Sequence, residues 1–318
     1  MPLPLPLLLP LPLPLPLPMP RPIAMPARPA ATPLAPRSFC TELQRAQARA
    51  AVGHLRLLAD EASALPWHAD GQRRVATALA GLPLPTAAHP APAGVLLFAG
   101  HRLDAPGRPL PRFPAAQEAT ARQALRQAIA AWQTRCLSGR PAPSSPPTPS
   151  SPSAPPGAPA GTALLGMAGG ASGGDILFHE VCADLGVASA LYLPMARTPY
   201  RPASVQVAPA LDSVPGWVAR FNALCRSCAA AGRLHQLGRS ATLPAWLTPL
   251  AGYSIWQRNN RWLLQAALAH GASRLTLLVL WDGQGGDGPG GTQHLVEVAR
   301  AAGARVQHLD TRALFGLA

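Results

Sequence analysis

The stretch Gly166-Met167-Ala168-Gly169-Gly170-Ala171-Ser172-Gly173-Gly174-Asp175 decides how this chain is read. It closes the apolar run 162–167 and leads into Ile176, Leu177, Val181 and Leu185, spaced for the inner face of a helix that begins at about Asp175. A strand that passes through five glycines into a helix is the opening unit of an α/β sheet. Glycines before a helix N-terminus let backbone amides approach an anion, whereas Asp175 repels phosphate and suits ribose hydroxyls. The plainer alternative is that Asp175 caps the helix and the glycines make a tight turn; the number of glycines favours a ligand. The helix dipole is expected to keep the Asp175 pKa low. Glu180 lies five residues on, roughly 140° around the helix axis, so the two acids do not form a coupled acid and base pair.

The same pattern continues on both sides. Apolar runs at 95–98, 188–193, 275–281 and 305–309 read as further strands, with helical patterns such as 114–132 and 255–270 between most of them. Strands that are apolar on both faces and separated by helices imply a parallel sheet. The expected class is therefore α/β, a Rossmann-like parallel sheet with helices on both faces, preceded by a short helical segment and a disordered Pro-rich tail. Ligands of such sheets bind beyond the carboxyl ends of the strands.

Two more strand ends carry unusual residues. The first strand runs into Gly100-His101-Arg102, where Gly100 permits close backbone approach and Arg102 offers a fork of donors to a phosphate or carboxylate. Ordinary loop contacts are the alternative there. The run 275–281 ends in Trp281-Asp282-Gly283-Gln284-Gly285-Gly286-Asp287-Gly288-Pro289-Gly290-Gly291-Thr292, a second anion cradle in which Thr292 is the expected N-cap of a helix carrying Leu295, Val296 and Ala299. Gly286, Gly288 and Gly291 also satisfy GxGxxG, with Asp310 after the next strand as a ribose acceptor. However, four residues separate Trp281 from Gly286, and the dinucleotide fingerprint sets its first glycine almost at the strand end. No cofactor is expected.

Three domain-level segments follow. Residues 1–36 form the tail, since leucine alternates with proline from Pro2 to Pro20 and permits neither a membrane span nor a signal helix. A polyproline II tail and an upstream mis-start of translation explain it equally well. Residues 37–92 are a helical segment, with one helix over 38–66 capped by Ser38, a second over 72–82, and a Pro-rich connector. Residues 93–318 are the sheet domain, interrupted by a disordered insertion of Pro, Ser, Ala and Gly over 139–161.

Composition removes several chemistries. The chain has 318 residues, 27 basic against 14 acidic, and a formal net charge of +13, yet every basic residue is arginine. Without lysine there is no Walker A loop, no Schiff-base lysine and no kinase-type lysine. Five scattered cysteines do not make a disulfide framework, and Cys225 and Cys228 fall in a helical pattern with no second pair to complete a zinc site. A cytoplasmic protein without a metal and without a membrane partner is expected.

The segments GHRLDAPGRPLPRFP (100–114), GGASGGDILFHE (169–180), LYLPM (191–195), WQRNNRWLL (256–264) and WDGQGGDGPGGT (281–292) together resemble the SLOG superfamily of bacterial Rossmann-like proteins. That superfamily includes the DNA-processing protein A and Lonely Guy proteins, and the likeness over 94–318 is greatest to uncharacterised bacterial forms often attached to tetratricopeptide repeats. The resemblance implies a nucleotide-binding or nucleotide-sensing domain. It assigns Gly100 and Arg102 to a first-strand loop, Gly169, Gly170, Gly173 and Asp175 to a glycine-rich turn, and Gly290, Gly291 and Thr292 to a phosphate-facing turn. Arg258 and Asn260 match polar positions of an otherwise apolar helix. The Lonely Guy phosphoribohydrolases carry PGGxGTxxE, whereas here Pro289-Gly290-Gly291 runs directly into Thr292, which argues against that catalysis.

Three functions stay open. The first is a ligand sensor in signalling, whose partner is a nucleotide-derived small molecule, with a homo-oligomer as a further option. The second is a nucleoside monophosphate phosphoribohydrolase. The third is a DNA-binding protein, which ranks below both because the 19 arginines and 10 acids over 94–318 are dispersed and few aromatics are available for stacking.

Overall fold

The computed structural model describes residues 33–82, 91–138, 163–207, 216–286 and 288–317. Residues 1–32 of the expected tail over 1–36, residues 83–90 of the Pro-rich connector and the whole insertion over 139–161 lie outside the described residues.

Six strands form one parallel sheet: β1 (Gly94–Gly100), β2 (Leu164–Ala168), β3 (Ala188–Leu193), β4 (Leu234–Gln236), β5 (Leu275–Trp281) and β6 (Arg305–Asp310). Their order is β4-β3-β2-β1-β5-β6. The winding proceeds outward from β1 through β4, then returns to the other side of β1 for β5. The carboxyl ends of β1 and β5 therefore flank a crevice where no crossover helix can sit, which is where such sheets place ligands.

Both faces of the central strands β1 and β5 are apolar because both are covered. Leu96 and Phe98 of β1, with Leu278 and Leu280 of β5, meet α4 (Glu118–Ser138), α5 (Gly174–Asp184) and α7 (Trp217–Ala230) on one face. The alternate residues Val95, Leu97, Leu277 and Val279 meet α8 (Ile255–Leu268) and α9 (Thr292–Ala301) on the other. Phe98 stacks on Phe178 of α5 at 4.7 Å between ring centroids, and burying each such ring contributes about 1.5–3 kcal/mol. Cys225 and Cys228 are buried on α7 and are not bonded to each other. Short helices α6 (Arg197–Tyr200) and α10 (Thr311–Phe315) complete the sheet unit.

Among its described residues the helical segment contains three helices, α1 (Arg37–Ala48), α2 (Val52–Ala62) and α3 (His68–Ala80). This corrects the single helix expected over 38–66: the chain turns at Ala50, which adopts a φ of 48° with no glycine to announce the break. Ser38 is not the N-cap, a position held by Pro36 without a side-chain bond. The layer packs on the outer side of α8, where Gly53 admits the close approach: a Cβ there would lie 2.4 Å from the Cα of Ala266. Buried charges lock it. Arg258 of α8 donates to Glu42 of α1 (2.8 Å) and Glu61 of α2 (2.9 Å), while Trp246 and His54 bind Glu42 and Tyr253 binds Glu61. Removing one member of such a buried network costs about 3–5 kcal/mol. Arg258, one of the two polar positions noted on this helix, thus faces the helical layer.

Among the described residues no helix is long and apolar enough to cross a membrane, and no group of three or more His, Cys, Asp or Glu could hold a metal ion.

Candidate functional site

A cleft of about 450 Å³ opens at the carboxyl ends of β1, β2 and β5, a size in the range of small-molecule sites. Gly100, Arg102, Gly169, Asp175, Asn260, Gly290, Gly291 and Thr292 all line it. Gly170 and Gly173 do not. Gly170 lies against Phe221 and Leu191, and Gly173, at a φ of 86°, sits where a Cβ would come within 2.7 Å of the Leu103 nitrogen. Their absent side chains let loops pack together.

The turn after β2 is stitched to its neighbours. Gly170 N–H donates to the Tyr200 hydroxyl (3.1 Å), Ala171 N–H to Asp175 Oδ2 (3.2 Å), Ser172 N–H to the Ser204 carbonyl (3.0 Å) and Gly174 N–H to the His101 carbonyl (3.0 Å). Beneath it, buried His179 has Nε2 3.0 Å from the Gly169 carbonyl and Nδ1 2.8 Å from Ser189 Oγ. Burial pushes His179 down to about 4, so the ring is neutral at pH 7; Nε2–H donates to the carbonyl and the serine hydroxyl donates to Nδ1. For Gly170 and Gly174 the expectation that the glycine amides reach a ligand anion is therefore corrected: the protein's own acceptors use both.

Asp175 stands on the cleft floor. Its carboxylate crowds Gly169, where a Cβ would lie 2.6 Å from Oδ2. Burial pushes its pKa up to about 7, outweighing the amides of Ala171 and Gly100 that favour the charged form. The side chain keeps some exposure toward the cleft, but protein surrounds it on the other sides, and that low-dielectric setting governs the charge. The low pKa expected from the helix dipole is thus overturned by desolvation.

Glu180 faces away from the cleft. It binds Arg220 (2.7 Å) and Arg122, and Arg220 also binds Glu118 (2.9 Å). Burial opposes its charge, yet the two arginines more than offset this and hold its pKa below the ordinary range.

The turn after β5 is arranged differently. Asp282 Oδ1 accepts from Gln284 N–H (3.0 Å) and Trp281 Nε1 donates to the Gln284 carbonyl (2.7 Å), which turns the chain at the strand end. Gly290 then presses on the start of α8: it has a φ of 90°, and a Cβ there would lie 2.4 Å from Trp256 Cβ. Asn260 Nδ2 donates to the Gly290 (2.8 Å) and Gly291 (3.1 Å) carbonyls, and Ser254 Oγ to the Pro289 carbonyl (3.3 Å). These bonds turn the carbonyls of the loop toward α8. Among the described residues none accepts a hydrogen bond from the backbone N–H of Gly291, Thr292 or Gln293. The N-cap of α9 is Gly291 without a side-chain bond, and Thr292 is the first helical residue, which corrects its expected role as cap. Among the described residues no side chain caps these amides.

Charge follows the same division. Among the described lining residues there are three arginines, Arg102, Arg108 and Arg112, and two acids, Asp104 and Asp175. Asp104 Oδ2 accepts from the Arg112 and Phe113 amides (both 2.8 Å), closing the loop that carries the arginines. Asp282 pairs with His101 (2.9 Å) and Arg112 (3.4 Å), tying that loop to the end of β5. Burial holds His101 below its usual range despite Asp282. Arg102 also donates to the Ala203 carbonyl (2.8 Å).

The sequence reading missed Trp256, Asn259 and Tyr200, which line the cleft with Asn260 and Leu263. The signal was present in part. Trp256, Asn259, Asn260 and Leu263 fall at i, i+3, i+4 and i+7, one face of a helix, so placing Asn260 in the site brings the others with it.

Comparison with protein-family models, curated proteins and solved structures found no match.

Proposed function

We propose that the chain binds a nucleotide or nucleotide-derived ligand in this cleft and serves as a cytoplasmic ligand sensor. The observation that carries the reading is the open turn after β5. Three consecutive amides at the N-terminus of a ten-residue helix lack described acceptors, in a cleft whose described lining has more arginines than acids. Such an end attracts phosphate through its N–H groups and its dipole together. Asp175 on the floor suits a hydroxyl-bearing part of the ligand, and the aromatic and aliphatic wall of Trp256, Trp281 and Leu263 suits its planar part. The resemblance to the SLOG superfamily supports the same ligand class.

One observation favours a second reading, a nucleoside monophosphate phosphoribohydrolase: a carboxyl with a pKa near 7 in a cleft is suited to general acid–base work. Calorimetric titration with nucleoside mono-, di- and triphosphates, followed by chromatography of the mixture, separates the two. Saturable binding with no free base supports the sensor. Released base supports the hydrolase, and no heat with any nucleotide overturns both.

A further inference from the structure

The fold sorts the charges of the helical layer in a way their order along the chain does not show. Residues 33–93 hold six arginines (Arg37, Arg45, Arg49, Arg56, Arg73 and Arg74) interspersed with four acids. All four acids are engaged. Glu42 and Glu61 turn inward to Arg258 of α8, Asp60 takes Arg261 of the same helix (3.0 Å), and Asp70 is shared by Arg73 (3.2 Å) and Arg74 (2.7 Å). The sheet unit thus supplies the countercharge for three of the layer's acids. Among the described residues no acid pairs with Arg37, Arg45, Arg49 or Arg56, and all four are exposed.

Three of these arginines share one ridge. Arg37, Thr41, Arg45 and Arg49 follow at intervals of four, the row that runs along one side of a helix, while Phe39, Glu42, Leu43 and Ala46 fill the buried side of α1. Bonds along the row hold it: Thr41 Oγ1 donates to the Arg37 carbonyl (3.0 Å) and Arg45 Nε to the Thr41 carbonyl (3.4 Å). The ridge is about 18 Å long. The other exposed residues of α1 are Ser38, Thr41, Gln44, Gln47 and Ala48, with no acid and no aromatic ring. A row of uncompensated guanidinium groups beside hydroxyls and amides is complementary to regularly spaced phosphates, and one strand of a duplex places about five along such a length. No ring is present on which unpaired bases could stack, and no large apolar residue to enter a lipid surface. We propose that the outer face of α1 is a docking surface for the sugar–phosphate backbone of duplex nucleic acid, bound without regard to sequence. None of these residues lines the cleft, so the proposal is independent of the nucleotide reading.

Fluorescence anisotropy of the full chain with labelled duplexes of about 20 base pairs, between about 50 and 200 mM salt, tests it. The wild type should bind duplexes of unrelated sequence with affinities within about threefold of one another. Replacing Arg37, Arg45 and Arg49 together by glutamine should weaken binding about tenfold or more and reduce the slope of log affinity against log salt by about 2–3, since each phosphate contact contributes about 0.9. Glutamine is a good helix former at exposed positions, so the melting temperature should stay within about 2 °C. The combined substitution Arg226→Gln, Arg239→Gln and Arg300→Gln removes the same charge from exposed positions of the sheet unit and should leave affinity within about twofold. Absence of binding at low salt, an equal loss in both triple variants, tighter binding to the matching single strand, or binding to phosphatidylserine vesicles in place of the duplex would each overturn the proposal. A cleft that takes no nucleotide would leave it standing.

Discussion

At the carboxyl edge of the sheet, the turn after β2 is closed on itself and the turn after β5 is open to the cleft, although both lead from a parallel strand into a helix. In the first, the amides of Gly170, Ala171, Ser172 and Gly174 end on Tyr200, Asp175, Ser204 and His101. In the second, the amides at the start of α9 meet no described acceptor, while Asn260 holds the neighbouring carbonyls. Glycine serves two ends here. In the closed turn it removes side chains so that β1, β2 and α5 can approach, as where Gly174 meets Gly100; in the open turn it bares a helix end. A glycine-rich loop before a helix is thus a binding element only when its amides are left over after the fold has used what it needs.

The comparison breaks most visibly at Gly173. A side chain there meets both a positive φ and the Leu103 backbone, so Gly173→Ala should lower unfolding stability by about 3 kcal/mol or more. Urea denaturation measures it. A loss below the level of an ordinary surface substitution would mean that the closed turn is not held as described.

A second effect, smaller over the pH range in which it is read, sharpens the contrast through Asp175. Its folded pKa of about 7 lies above the ordinary value of 3.8, so between those values the folded state binds more protons than the unfolded state. Stability is greatest at the acid end of this window and falls as pH rises through about 7, by at most about 4 kcal/mol. Asp175→Asn should remove that part of the slope. Denaturation between pH 5 and pH 8 tests the sign: a wild type that gains stability with pH relative to Asp175→Asn would show that the helix dipole governs this carboxyl after all.

The distribution of these roles explains what could be read from the residues alone. The apolar runs that gave β1, β2, β3 and β5 are legible because burial writes itself as continuous hydrophobicity, whereas β6, found at 305–309, is an edge strand with no fully buried residue. β4 escaped because Leu234, His235 and Gln236 form a short edge strand with no fully buried residue. The break at Ala50 escaped because its left-handed φ has no glycine or proline to mark it. The acceptors that close the first turn come from Tyr200, Ser204 and His101, far along the chain, so no local pattern distinguishes that turn from the open one. Asp175 was misjudged for a related reason: a helix start is visible in sequence, whereas the walls that desolvate the carboxyl come from several strands. Most of the glycines assigned to the cleft do line it, but which of them meet a ligand is set by packing.

The most direct measurement concerns Gly291. Among the described residues a Cβ at this N-cap makes only ordinary contacts, no nearer than 3.8 Å to the Cα of Gly286, and aspartate is a favoured cap. Gly291→Asp should therefore fold with stability equal to or a few tenths of a kcal/mol above the wild type, and yet occupy the amides that the account reserves for the ligand's phosphate. Titration of both proteins with adenosine 5′-monophosphate, beside thermal melts, should show affinity reduced by about 100-fold or more with an unchanged fold. Equal affinity in Gly291→Asp would place the anion elsewhere and contradict the central claim.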